Sequence, residues 1–357
     1  MIRMLHRWPG LLALALVMVL AISGAALSVF PVAERFSTPQ AEAGLTVADL
    51  AERIRTAYPG VEQIRRAPSG RITAFWFDDG TPGAAVIDPA TGKGIASADP
   101  NPVERWLTSL HRSLFLGDAG RIVMAAGAAA MLVLSVSGAM LVARRMGGWR
   151  RWFTPLRGPA SSRIHTGIAR VAVAGLILSS ATALWMAAST FDLLPDGAAP
   201  PAFPTEVSGS TGVFLAAMEP LSVIPVTELR ELSFPYPGDA TDAFTLKTDR
   251  GTGYLDQGTG ELLAWAELTM WERISETIYM LHTGQGAASL GLVLGVMALG
   301  VPAMGVSGLV LWFAGRRSRP RLRGNHPANG AATILLVGSE GGSTWGFAAT
   351  LQHALTT

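Results

Sequence analysis

Four stretches of this chain are long and apolar enough to cross a lipid bilayer: residues 8–30, 122–142, 164–186 and 287–313. A hydrocarbon core about 30 Å thick needs roughly 20 such residues per helix. A backbone in lipid must satisfy its own hydrogen bonds, so the stretches read as helices. With 49% hydrophobic and only 15% charged residues and a mean hydropathy of +0.35, the chain is too apolar for a pair of ordinary soluble domains. The first stretch has the basic start, apolar middle and small-residue end of a secretory signal. Its length, and the repeat described below, favour a retained helix.

The arginines orient the spans. Arg3 and Arg7 precede the first. Arg144, Arg145, Arg150, Arg151, Arg157 and Arg163 fill the second connection, and Arg316, Arg317, Arg319, Arg321 and Arg323 follow the fourth. By the positive-inside rule these segments are cytoplasmic, which leaves the first and third connections outside and both termini inside a bacterial inner membrane. The expected order is a span at 1–30, an extracytoplasmic domain at 31–110 and a span at 111–145. A cytoplasmic basic loop at 146–163 leads to a span at 164–190, a second extracytoplasmic segment at 191–278 and a span at 279–315. A basic linker at 316–330 and a tail at 331–357 close the chain.

The chain reads as two copies of one plan. The ends of the second and fourth spans, "VSGAMLVARR" and "VSGLVLWFAGRR", match, and "AVIDPATGKGIAS" matches "GYLDQGTGELLAW". Each of the latter suggests a hairpin around an Asp-x-x-Thr-Gly turn. "VERWLTSLHRS" and "WERISETIYMLHTG" then read as helices that each carry a histidine to the membrane, while "MLHRWPGL" and "RIHTGIAR" open spans one and three. Both copies begin on the same side, so the repeat is parallel, with its axis along the membrane normal. Residues 45–60 suggest a helix capped by Thr46 with Asp49 three residues on, and 70–79 and 85–90 suggest strands. In the second segment the proline-rich early part reads as loop, and "DAFTLKTD" as a strand. The expected fold is a four-span α-helical membrane bundle in two parallel repeats, with small α+β domains outside.

The repeat makes His6 equivalent to His165 and His111 equivalent to His282. Each pair can face itself across the axis, one pair near each side of the bilayer. Haem iron in a helix bundle is held by imidazoles from different helices, so the four histidines are candidate axial ligands of two b-type haems. With no cysteine in the chain, thiolate ligation, iron–sulfur clusters, disulfides and covalent c-type haem are excluded. Gly10 and Ala13 follow His6, and Ala169 and Ala172 follow His165, at one- and two-turn spacing. They suggest a small-residue face for a flat macrocycle. Arg7, Arg112 and Arg163 stand beside the histidines as candidate propionate partners. Alternatives remain at this level: interfacial packing histidines, methionine ligation by Met4, Met280 or Met304, or a Tyr279/His282 metal site. His326 and His353 have no repeat counterpart and read as surface residues.

Together, "LHRWPGLLALALVMVLAISGAALSVF", "ERWLTSLHRSLFLGDAGRIVMAAGAAAMLVLSVSGAMLV", "RIHTGIARVAVAGLIL" and "YMLHTGQG" with "VSGLVLW" resemble the PepSY-associated transmembrane family over residues 1–317, and the "VIDPATG" hairpin resembles a PepSY domain. The family includes inner-membrane ferric-siderophore reductases. The resemblance therefore implies an oxidoreductase, with His6, His111, His165 and His282 as haem ligands and electron transfer outward to an iron chelate in the periplasm. The tail "ATILLVGSEGGSTWGFAATLQHAL" resembles the opening of a flavodoxin-like α/β domain, truncated here. That resemblance implies an FMN phosphate loop at Ser339, Glu340, Gly341, Gly342, Ser343 and Thr344. Fusions of this kind are similar to the flavoprotein subunit of sulfite reductase, which points to a cytoplasmic flavin, flavoprotein or NAD(P)H donor. Nucleic acid enters none of these readings. The competing class is a non-redox envelope module whose external domains bind or regulate a partner while the spans anchor them. A transporter is a third reading, supported by the duplication alone.

Overall fold

The computed structural model describes residues 1–78, 80–195, 197–317, 329–330, 333–334, 337 and 343–356. In the first half, α1 (Ile2–Leu12) and α2 (Leu14–Leu27) meet at Ala13 and continue into α3 (Val29–Ser37). Next come α4 (Val47–Ala57), strands β1 (Val61–Arg66), β2 (Ile72–Asp78), β3 (Thr81–Ile87) and β4 (Gly94–Ser97), then α5 (Pro102–Ser113) and α6 (Gly117–Met146). The second half begins with α7 (Ala160–Thr190) and α8 (Glu219–Val223). Strands β5 (Leu229–Ser233), β6 (Ala243–Thr248), β7 (Gly251–Asp256) and β8 (Leu262–Glu267) follow, then α9 (Met270–Thr283), α10 (Ala288–Ala298) and α11 (Gly300–Arg317). Helix α12 (Ser343–Thr356) ends the chain.

Four segments have the length and hydropathy to cross a membrane: Leu14–Ser37, Gly117–Met146, Ala160–Thr190 and Ala288–Gly315. They pack closely because small residues face neighbouring helices. A Cβ on Gly295 would collide with Ser28, so bulk there would force the helices apart, and one on Gly175 would displace the Met297 side chain. Ala13 and Ala172 pack in an apolar cluster with Val17, Ala21, Leu176 and Val301, and Gly10 lies against Leu134. Gly10, Ala13 and Ala172 thus serve helix–helix contact rather than lining an open face.

At one end of the bundle all eight strands form a single antiparallel sheet, in the order β4-β3-β2-β1-β5-β6-β7-β8. Two separate small sheets are what the two segments suggest on their own. Instead β1 and β5 join the segments, with Gln63 opposite Ser233, Ile64 opposite Leu232 and Arg65 opposite Glu231. Helix α4 starts at the expected capping box of Thr46 and Asp49 and lays Leu50, Ala51 and Ile54 on Ile64, Ile72, Leu232, Leu246 and Leu255. All of these are buried, at roughly 1.5–3 kcal/mol for each large aliphatic chain.

Both Asp-x-x-Thr-Gly segments are the expected hairpin turns. Asp88 accepts from the Ala90 N–H and the Thr91 hydroxyl between β3 and β4. Asp256 accepts from the N–H groups of Gly258 and Thr259 between β7 and β8. Asp256 also receives both the N–H and the hydroxyl of Ser208. Burial alone would raise this carboxyl, but these donors outweigh it and hold it at about 2. Two ion pairs tie the sheet to the bundle: Arg71 with Glu34 of α3 at 2.9 Å, and Arg230 with Glu276 of α9 in a two-pronged contact that Asp249 extends.

Candidate functional site

The structure brings the four histidines together in the expected pairs. The rings of His6 on α1 and His165 on α7 have centroids 6.3 Å apart and planes at 89°. Those of His111 on α5 and His282 on α9 are 6.2 Å apart at 38°. The second pair lies at the sheet end of the bundle and the first at the opposite, arginine-rich end. Thr182, which touches His282, is 17 residues along α7 from His165, or about 25 Å at roughly 1.5 Å per residue. His111 and His282 are carried by separate short helices rather than by the spans. Helix α5 stops at left-handed Leu114 before α6 begins, and α9 stops at left-handed Gly284 before α10.

Each ring is held from a neighbouring span by a hydroxyl. His6 Nδ1 lies 3.0 Å from Ser137 Oγ, His111 Nδ1 2.8 Å from Ser23 Oγ, His165 Nδ1 3.2 Å from Ser307 Oγ and His282 Nδ1 3.0 Å from Thr182 Oγ1. These hydroxyls already donate their one proton to the carbonyl four residues back. Ser23 donates to Val19 and Ser137 to Val133, each at 2.6 Å. Ser307 donates to Ala303 at 2.7 Å and Thr182 to Leu178 at 2.8 Å. A hydroxyl has a single proton to give, so toward the ring it accepts. Nδ1 is therefore the protonated nitrogen. For two rings a carbonyl, which can only accept, gives the same answer: Met304 O is 3.0 Å from His165 Nδ1 and Ser179 O is 3.1 Å from His282 Nδ1. In a neutral imidazole the free lone pair is then on Nε2, the state a metal-binding histidine needs.

Three of the four hydroxyls are followed by a glycine that lies against the ring the hydroxyl holds. A Cβ on Gly24 would approach His111 Cε1 to 3.1 Å, one on Gly138 would approach His6 Cε1 to 3.1 Å, and one on Gly308 would approach His165 Cε1 to 3.5 Å. The serines and glycines were not among the expected site residues. Their signal is the Ser-Gly pair within "AISGAAL", "VSGAMLV" and "VSGLVLW". Thr182 is followed by Ala183 and carries no such mark.

The pair geometry provides a test for a shared metal. An imidazole nitrogen binds a transition metal at about 2.0–2.1 Å, and its ring centroid lies about 1.1 Å behind it, so two rings on opposite sides of one iron have centroids roughly 6.3 Å apart. Both observed separations fit. Among the described residues no three His, Cys, Asp or Glu side chains converge as a metal-holding group. Each pair brings two imidazoles within reach of one metal and offers no third protein ligand among the described residues. Of the candidate propionate partners, Arg7 lies over the Trp8 ring. Met304 meets His165 through its carbonyl rather than its sulfur.

A cavity of about 1460 Å³ opens at the sheet end, between α3, α5, the β1–β2 turn and the start of α10. Thr108 and Ser109, three and two residues before His111, form part of its wall, with Arg35, Arg66, Arg71, Arg105, Glu34 and Glu104 around it. Burial raises the Glu104 carboxyl, Glu34 adds to the shift and Arg71 opposes it. At the other end of the chain, Ser339, Glu340, Gly341 and Gly342 of the expected phosphate loop lie outside the described residues, while Ser343 and Thr344 open α12.

A family model described as the PepSY-associated TM region matches residues 3–316. The match covers nearly the whole chain, and the chain belongs to that family. No curated protein matches it.

Proposed function

We infer that this member of the PepSY-associated TM region family is a b-type haem electron-transfer protein of the bacterial inner membrane. In this reading it conducts electrons from a cytoplasmic donor, a reduced flavin or NAD(P)H-dependent flavoprotein, to an acceptor outside, with ferric chelates as the acceptor class. The observation that carries the inference is the two imidazole couples, each with ring centroids close enough for both rings to bind one metal and each ring with its Nδ1 proton engaged by a hydroxyl.

A haem bound by these histidines would supply reversible one-electron chemistry. The chain's own groups do the rest. His6 with His165, and His111 with His282, would hold the iron. Ser137, Ser307, Ser23 and Thr182 fix the tautomer by accepting from Nδ1, which leaves each Nε2 lone pair free for a metal. The apolar cluster of Val17, Ala21, Ala172, Leu176 and Val301 keeps water out of the bundle between the two pairs. The cavity beside α5, walled by arginines and by the residues two and three before His111, gives an acceptor a place to approach the outer pair.

The test is a reduced-minus-oxidised visible spectrum of membranes containing the protein. Sharp b-type bands are expected, with part of the absorbance lost in a His111→Ala, His282→Ala double variant. Featureless spectra from correctly inserted protein would remove the redox reading and leave a non-redox envelope module.

A further inference from the structure

We propose that the connection between α6 and α7 is a preformed binding surface for anionic phospholipid headgroups. The connection, residues 147–159, is short and rigidly braced. It leaves α6 through Gly147 and Gly148, both with positive φ, and turns through a single 3-10 turn at Trp149–Arg151. The Trp149 and Trp152 rings stack 5.4 Å apart at 11°. Trp152 Nε1–H donates to Arg170 O at 3.2 Å, and Arg170 Nη2 donates to Thr154 O at 2.7 Å. Arg145 holds the far side, donating to Arg157 O and Ser162 Oγ at 2.6 Å and to Thr166 Oγ1 at 2.9 Å.

Two arginines are therefore occupied in bracing the loop. Among the described residues, Arg144, Arg150, Arg151, Arg157 and Arg163 form no side-chain hydrogen bond or ion pair, and residues 143–170 contain no Asp or Glu to neutralise them. Beside them Trp149 is 62% and Phe153 78% exposed. Exposed aromatic rings at the ends of spans belong at the level of lipid headgroups. Unpaired arginines at that level attract anionic lipid, each adding to the affinity within a Debye length of the surface. Because the loop is pinned to the ends of two spans, it cannot reach far beyond the headgroup layer. That favours a lipid over a soluble acidic protein as the occupant. The proposal does not depend on haem.

The experiment uses the full chain in nanodiscs made of phosphatidylcholine with a minor fraction of phosphatidylglycerol. After extraction, co-purifying lipid is counted by mass spectrometry. Wild type should retain phosphatidylglycerol over phosphatidylcholine by about tenfold or more, and the enrichment should fall with salt. The Arg150→Gln, Arg151→Gln, Arg157→Gln triple variant should lose most of the enrichment. The corresponding Arg→Lys triple should keep it, because a headgroup phosphate accepts a point charge. Unfolding temperatures of both triples serve as the check that the bundle is intact. Equal retention of the two lipids by wild type, undiminished enrichment in a folded Gln triple, or salt-sensitive binding of an acidic soluble flavoprotein that displaces phosphatidylglycerol would each overturn the proposal.

Discussion

Replacing Ser23 by alanine should weaken the outer histidine pair without disturbing the rest of the bundle. Ser23 is 2% exposed and sits 2.8 Å from His111 Nδ1, so truncation removes the hydroxyl acceptor of the ring N–H and leaves it only the Leu20 carbonyl. A buried donor left wholly without a partner costs about 1–3 kcal/mol, which bounds the loss from above. Removing the partner of a metal-bound histidine typically lowers metal affinity about 10–100-fold, or about 1.4–2.7 kcal/mol. The two routes agree. The assay is haemin titration of detergent-purified protein in a His6→Ala, His165→Ala background, where only the outer pair remains. Ser23→Ala should raise the apparent Kd by about 10–100-fold. Ser23→Thr should restore it, since Thr182 already performs this task for His282. Wild-type affinity in Ser23→Ala, or equal loss in the alanine and threonine variants, would refute the tautomer argument.

Other outcomes follow from the same geometry. Gly138→Val should crowd His6, whose Cε1 lies 3.1 Å from where a Cβ would stand, at a cost of about 1–3 kcal/mol, read as a lowered haem content of the inner pair. Leu232→Ala, at a 0% exposed position on the seam of the sheet, should destabilise the sheet domain by about 2–5 kcal/mol, seen as faster proteolysis of the sheet. Asp256 has its folded-state pKa depressed to about 2 from 3.8. Its stabilisation is therefore complete above the unfolded value and fades as pH falls from about 4 to 2, by up to roughly 2 kcal/mol. Asp256→Asn should flatten that part of an acid-unfolding curve. Arg230→Gln breaks a pair whose members are 37% and 41% exposed, so its effect on thermal unfolding should stay below about 1 kcal/mol.

How far the sequence reveals this arrangement depends on where each signal lies. The capping box at Thr46 and the two Asp-x-x-Thr-Gly hairpins are visible within a dozen or so residues, and each of the four spans within about 20 to 30. The histidine pairs were legible through the matching sequence segments around them, which suggest which rings can meet. Strands β1 and β5 were not legible, although they form the centre of the sheet. Their buried residues, Val61 and Ile64 in one and Leu229 and Leu232 in the other, are three apart. The register slips between Val61 and Gln63 and between Leu229 and Glu231. A bulge adds a residue and turns the alternating pattern of a strand into a helix-like spacing. The hydroxyl partners stayed hidden for another reason. Ser137 and His6 are 131 positions apart, and a serine inside an apolar span usually bonds its own helix. These serines do that and accept from a ring as well.

The most direct test of paired imidazoles as iron ligands is the ratio of haem to protein in purified material, measured as the pyridine haemochrome. Wild type should give a ratio near two. The His6→Ala, His165→Ala variant and the His111→Ala, His282→Ala variant should each give about one, and the quadruple variant none. A folded, membrane-inserted wild type with no haem, or double variants that keep the full complement, would contradict the account.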